Sequence, residues 1–200
     1  TLNASGGGDF IYGGRGNDVI YSAGGAVVYA GPGGDRISDG AGVVLVYAGG
    51  GADVVTMGSG GGFAFGEAGN DRLVGGPDND TLSGGRGKDT LLGRAGVDIL
   101  AGSLGNDVLR GGADQDTFVF NVADGTGTDL IADFEDGVDR IRLEGFDVTG
   151  AGGYASTADF LAAAIGERGT TAIIDMSLVG GGTIEVANMV AAEHLELSVS

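Results

Sequence analysis

From Gly66 to Val119 the chain repeats every nine residues: GEAGNDRLV, GGPDNDTLS, GGRGKDTLL, GRAGVDILA, GSLGNDVLR, GGADQDTFV. Glycine opens each unit, aspartate stands sixth (Asp71, Asp80, Asp89, Asp98, Asp107, Asp116), and a large apolar residue stands eighth (Leu73, Leu82, Leu91, Leu100, Leu109, Phe118). A strict period this short confines the chain to a solenoid, because every unit must occupy the same environment as its neighbours. The first six residues of a unit form a turn, where glycine supplies left-handed backbone. The last three form a short strand whose eighth residue points inward and whose seventh and ninth point outward. Two units make one coil, so alternate units lie on opposite edges and each aspartate stacks on the one two units later.

The period reaches back to Ala4, with losses. Units 4–12, 13–21, 30–38 and 48–56 carry Asp9, Asp18, Asp35 and Asp53. Residues 22–29 are one short and lack the aspartate, and Val44 and Gly62 replace it in units 39–47 and 57–65. The losses fall on alternate units. One edge therefore keeps Asp18, Asp35, Asp53, Asp71, Asp89 and Asp107. The other has Asp9, a gap, then Asp80, Asp98 and Asp116. These units resemble the RTX (repeats-in-toxin) family, secreted proteins whose repeats form a calcium-loaded parallel β-roll. The resemblance implies several Ca²⁺ ions, each between two stacked aspartates and held also by turn carbonyls, a hard cation in an oxygen cage.

Energetics agree with a need for metal. One buried leucine yields roughly 1.5–3 kcal/mol, whereas ordering nine residues costs about 1–2 kcal/mol each. Stacked carboxylates without a cation add repulsion. Glycine at 45 of 200 residues, carried in a period, fits a solenoid. A net charge of −18 argues against nucleic acid and anionic membranes as partners and for cations. Cysteine is absent, and no apolar run is long enough for a membrane span. No leader is evident and the chain opens mid-repeat, so the expectation is the C-terminal piece of a longer protein.

Beyond Val119 the period stops. GTDLIADFEDGVDRIRL (127–143) alternates as two short strands around a turn. It is similar to the block closing the roll in serralysin-type proteases. That likeness implies Asp129, Asp133 and Asp139 as ligands of a cap ion; ordinary turn carboxylates are the alternative. Ser156 opens a capping-box-like start to one short helix through ADFLAAAIGER, ended by Gly169. TTAIIDMSL, GTIEVANMV and HLELSVS read as three strands. The expected fold is all-β: a parallel β-roll over 4–119, then a β-rich capping unit with one short helix over 120–200. A solenoid end needs such a cap, and the resemblance implies a second role for it as a type I secretion signal.

No catalytic constellation is present. The single histidine, His194, excludes HExxH and histidine triads, and Gly87-Lys88 is followed by aspartate, so it is no P-loop. The reading is a non-enzymatic calcium-binding module of a secreted or cell-surface protein, handled by the type I secretion apparatus. The alternative is a calcium-dependent binding module for a polysaccharide, cell-surface or protein partner. One outward pattern is unusual. Phe10 and Tyr12, Val27 and Tyr29, Leu45 and Tyr47, and Phe63 and Phe65 occupy both outward positions of the units on the sparse edge. They are expected to form two parallel ladders about 14 Å long. Cross-strand stacking alone accounts for such ladders. A face covered by an upstream domain, another chain or the chain's own C-terminal unit is the other explanation.

Overall fold

The computed structural model describes residues 1–121, 124–125, 127–145, 165–168, 171–175 and 183–187. Two parallel sheets lie face to face, and the chain alternates between them strand by strand. Sheet A takes β1 (Leu2–Ala4), β3 (Val19–Ser22), β5 (Arg36–Asp39), β7 (Val54–Thr56), β9 (Arg72–Val74), β11 (Thr90–Ala95), β13 (Val108–Ala113) and β15 (Thr128–Ile131) in that order. Sheet B takes β2 (Asp9–Tyr12), β4 (Ala26–Pro32), β6 (Val44–Gly50), β8 (Gly62–Ala68), β10 (Asp80–Gly87), β12 (Ile99–Gly105), β14 (Thr117–Asn121) and β16 (Arg140–Glu144).

Register follows the repeat. Leu82 lies beside Ala64 on one side and Leu100 on the other, and Leu91 lies between Leu73 and Leu109. Across the short unit the register is seventeen residues, with Ile20 opposite Ile37 and Tyr12 opposite Tyr29. The missing residue is therefore absorbed in a turn. The eighth-position side chains stack into one core column: Ile20, Ile37, Val55, Leu73, Leu91 and Leu109 from sheet A meet Val28, Val46, Ala64, Leu82, Leu100 and Phe118 from sheet B, each with no exposed surface.

The strands of sheet B are longer than three residues. β10 runs eight residues because its turn glycines also pair with the next coil, Gly85 with Ser103 and Gly87 with Gly105. On the edge that carries Asp71 and Asp89, stacking turn on turn leaves no room for side chains at the fourth position, which is Gly33, Gly51, Gly69, Gly87 and Gly105 in successive coils. A Cβ on Gly87 (φ 144°) would land on the Gly69 carbonyl oxygen.

After the last full repeat, β15 joins sheet A beside β13, and β16 joins sheet B beside β14. The two strands of this segment thus extend separate sheets rather than pairing with each other. Beyond β15, sheet A continues through β19 (Thr183–Ala187, parallel), β18 (Thr171–Asp175) and β17 (Ile165–Arg168), the last two antiparallel. Here the expected helix is corrected: its last four residues, Ile165–Arg168, are strand. Their backbone groups bond to β18, with Ile165 opposite Ile174 and Arg168 opposite Thr171. A tertiary pairing of this kind outweighs the modest local helix preference of the segment. Residues 156–164 and the HLELSVS segment lie outside the described residues. Among the described residues no helix is long and apolar enough to cross a membrane.

Candidate metal centre

The turn that carries the chain from sheet B to sheet A forms one edge of the roll, and the return turn forms the other. On the first edge the aspartates make a continuous chain. The backbone N–H of each donates to Oδ1 of the next: Asp18 to Asp35 (2.7 Å), Asp35 to Asp53 (2.6 Å), Asp53 to Asp71 (2.8 Å), Asp71 to Asp89 (2.7 Å), Asp89 to Asp107 (2.8 Å) and Asp107 to Asp129 (2.9 Å). On the second edge the same link joins Asp80 to Asp98 (2.7 Å), Asp98 to Asp116 (2.9 Å) and Asp116 to Asp139 (2.9 Å). Asp9 is half-buried at the far end of this edge, beside Ala26.

Along most of both columns one carboxylate oxygen is pinned and the other has nothing to bond. Asp80 is pinned by the Gly76 N–H at 2.6 Å, and Asp139, at the end, has both oxygens bonded, Oδ2 accepting from Glu135 N–H at 2.8 Å. Oδ2 of Asp35, Asp53, Asp71, Asp89, Asp98, Asp107 and Asp116, and Oδ1 of Asp80, are buried without a hydrogen-bond partner. Glycine makes the space. A Cβ on Gly66 would stand 2.5 Å from Asp71 Oδ2, and one on Gly102 2.5 Å from Asp107 Oδ2. From Gly66 onward the first glycine of each unit thus makes room for the aspartate five residues later. Removal from water raises the carboxyl pKa values, and stacked neighbours add to it. Asp71, Asp98, Asp116 and Asp129 are pushed up to about 7, and Asp53 and Asp107 to about 6. Burial also raises Asp35, Asp80, Asp89, Asp133 and Asp139.

A buried oxygen with a free lone pair costs about 1–3 kcal/mol, more when charged. Columns of such oxygens, lined by backbone and aspartate, fit a hard divalent cation that accepts flexible oxygen geometry, which is calcium rather than magnesium. Among the described residues no three acidic side chains form one metal-binding group. Each level of the stack would hold its ion with two carboxylates, and main-chain oxygens would complete the shell.

The three aspartates expected at one cap ion occupy two places. Asp129 ends the first column, and Asp139 ends the second. Asp133 does not stand in either column: its Oδ1 accepts from Gly111 N–H at 3.0 Å, and its charge acts on Asp116 and Asp139. Sequence reasoning missed an outer layer of acceptors. Asn17, Asn70, Asn79 and Asn106 each accept a backbone N–H from the next coil, at Gly34, Lys88, Val97 and Thr128, at 2.8–2.9 Å. Asparagine at the fifth position of four units was the available signal.

The apolar ladders lie on the outer face of sheet B. Tyr12, Tyr29, Tyr47 and Phe65 stack ring on ring, with centroids 5.3, 5.0 and 5.2 Å apart and planes within 13°. Beside them run Phe10, Val27, Leu45 and Phe63 in register. Phe10 is 67% exposed, Tyr12 65% and Phe63 46%. The described strands of the C-terminal unit extend sheet A at the other end of the roll and do not lie on this face.

A family model for the RTX calcium-binding nonapeptide repeat matches residues 1–27, 29–64, 58–91, 65–100 and 92–131. No curated protein matches the chain. Among solved structures, the extracellular lipase LipA from Serratia marcescens aligns at 12% identity with a TM-score of 0.37. The alignment covers 80% of this chain and 40% of the lipase chain.

Proposed function

The chain belongs to the family of RTX calcium-binding nonapeptide repeat proteins, and from that premise we propose that it is a non-catalytic module of a secreted protein that folds as calcium fills its aspartate columns. The observation that carries this reading is the row of buried carboxylate oxygens without partners, which at Asp71, Asp89, Asp98, Asp107 and Asp116 lie beside a glycine whose missing side chain leaves the space. The cation supplies positive charge between stacked carboxylates. The protein supplies the rest: backbone N–H groups hold one oxygen of each aspartate in place, and the core column fixes the coil spacing. Inside a cell, scarce calcium leaves like charges buried against one another. Outside, millimolar calcium exceeds the roughly 10⁻⁴–10⁻³ M constants of extracellular sites. Export through a type I apparatus, with the C-terminal unit as address and cap, belongs to this proposal. Equilibrium dialysis against calcium, on the intact chain and on Asp71→Asn with Asp98→Asn, tests it. Several ions bound by the parent and fewer by the double variant support it; equal binding refutes it.

The ladder face favours a second role, as a contact surface for a neighbouring protein domain. The rings of Tyr29 and Tyr47 are stacked on both faces, so only their edges reach solvent, and an open ring face is left only at the ends of the ladder. A contiguous exposed patch of rings and aliphatic side chains suits an apolar protein contact.

A further inference from the structure

The repeat aspartates are unevenly distributed, and the side chains that take their place show why. On the second edge, the first position of each unit points at the carboxylate space. In the C-terminal half that position is Gly75, Gly93 and Gly111, and the carboxylates are Asp80, Asp98 and Asp116. In the N-terminal half it is Ser22, Asp39 and Met57, while the aspartate position holds Ala26, Val44 and Gly62. The exchange is spatial. A Cβ on Gly62 would meet Met57 Cε at 2.7 Å and Val44 Cγ1 at 3.0 Å. Met57 therefore fills the space that a residue-62 side chain vacates. Ser22 lies opposite Asp39 at the C-terminal ends of β3 and β5. Both Asp39 carboxylate oxygens are buried without a hydrogen-bond partner, but the matching positions are Ser22 and Met57, so no second aspartate stacks on Asp39 to share an ion. Ser22, Met57, Ala26 and Val44 are all at most 4% exposed.

The first edge shows a milder form of the same change. Ala30 and Ala48, both fully buried, stand where Gly66, Gly84 and Gly102 leave space for Asp71, Asp89 and Asp107. Asp35 and Asp53 each keep a free oxygen, so this edge retains its candidate sites. The apolar content changes with the edge. β4 buries Ala26, Val28 and Ala30, and β6 buries Val44, Val46 and Ala48. At the matching positions β10 buries Asp80, Leu82 and Gly84. The outward rings of β2, β4, β6 and β8 add stacking on the same coils.

We infer that the roll is divided in its dependence on calcium: coils from β10 onward require ions on both edges, whereas β2–β8 draws on ions from one edge only and is otherwise held by apolar packing. This rests on the calcium reading above. Removing calcium therefore unfolds the C-terminal coils first and leaves the ladder face formed. Low calcium alone does not keep the first half of the roll open.

Hydrogen exchange on the intact chain, in calcium and after chelation at neutral pH, tests the division. With calcium at about ten times Kd, each ion multiplies protection by roughly ten. Counted per coil, chelation should then cost β10–β14 roughly a hundredfold in protection, from two ions, and β2–β8 roughly tenfold or less, from one. Met57→Ala provides a second arm. It should lower protection of β4–β8 equally with and without calcium, because methionine acts there as packing. Equal losses in the two halves, or a larger loss in β2–β8, overturn the division while leaving the calcium reading intact. No change anywhere on chelation overturns both.

Discussion

Asp89→Asn isolates what a repeat aspartate does. Asp89 is 1% exposed. Its Oδ1 accepts the Asp71 N–H at 2.7 Å, and its own N–H donates to Asp107 at 2.8 Å. Asparagine keeps an oxygen for the Asp71 N–H, so the coil-to-coil link survives. It puts an amide nitrogen where the free oxygen stood beside Gly84, and a nitrogen bearing hydrogens cannot ligate a cation. Asp89 borders two levels, with Asp71 and with Asp107, so two ions are weakened. At calcium about ten times Kd, two ions contribute about 3 kcal/mol to stability. For a chain of this size that is a fall in Tm of about 6–12 °C. Without calcium there is no ion to lose, and the amide replaces a carboxylate that burial already disfavours in its charged form. The substitution should then be neutral or stabilising. Scanning calorimetry with and without calcium reads both values. An equal fall in Tm under both conditions would refute the reasoning, because the aspartate would then be a structural hydrogen-bonding residue and not a ligand.

Acidity should substitute in part for calcium. Asp71, Asp98, Asp116 and Asp129 have folded pKa values of about 7, above the ordinary 3.8. The metal-free fold therefore binds more protons than the unfolded chain, and this contribution is fully present below 3.8 and is lost as pH rises through about 7. Circular dichroism of chelated protein should show more β structure at pH 5 than at pH 8; the reverse order would contradict the burial of these groups. Val44→Asp places a carboxylate on the bare edge with no aspartate at Ala26 or Gly62 to share an ion. Calorimetric titration should find unchanged calcium stoichiometry, with stability lower by at least about 2 kcal/mol. Deleting residues 146–200 removes β17–β19 and uncovers the edge of β15. Light scattering should then detect self-association through that edge, and a strictly monomeric truncated chain would show that β15 needs no cover.

The nine-residue period made the roll legible because it specifies both the inward column and the stacked edge, and each follows from alternation and coil length alone. Even the shortened unit could be placed, since only a deletion in the turn keeps Tyr29 beside Tyr12. Strand lengths were not legible. Whether Gly85 and Gly87 pair with Ser103 and Gly105 depends on how closely neighbouring turns stack, which no single unit encodes. The end of the expected helix failed for a related reason: Ile165–Arg168 is strand because β18 offers it a partner, and that partner is defined only in three dimensions. Asp129, Asp133 and Asp139 are close in sequence, yet the chain between them crosses from sheet A to sheet B and sends the first and last to opposite edges. Met57 carries no signal of its role in the sequence, because the space it fills, that of the side chain missing at Gly62, exists only once the coil is closed.

The central claim is that the aspartate columns bind calcium and that this binding completes the fold. The most direct measurement is calcium titration of the chelated intact chain at neutral pH, with bound ion and far-UV circular dichroism followed in the same samples. The account predicts that several ions bind and that β signal rises in step with their uptake. A β signal already complete in chelator, or ions taken up with no gain of β structure, would contradict it.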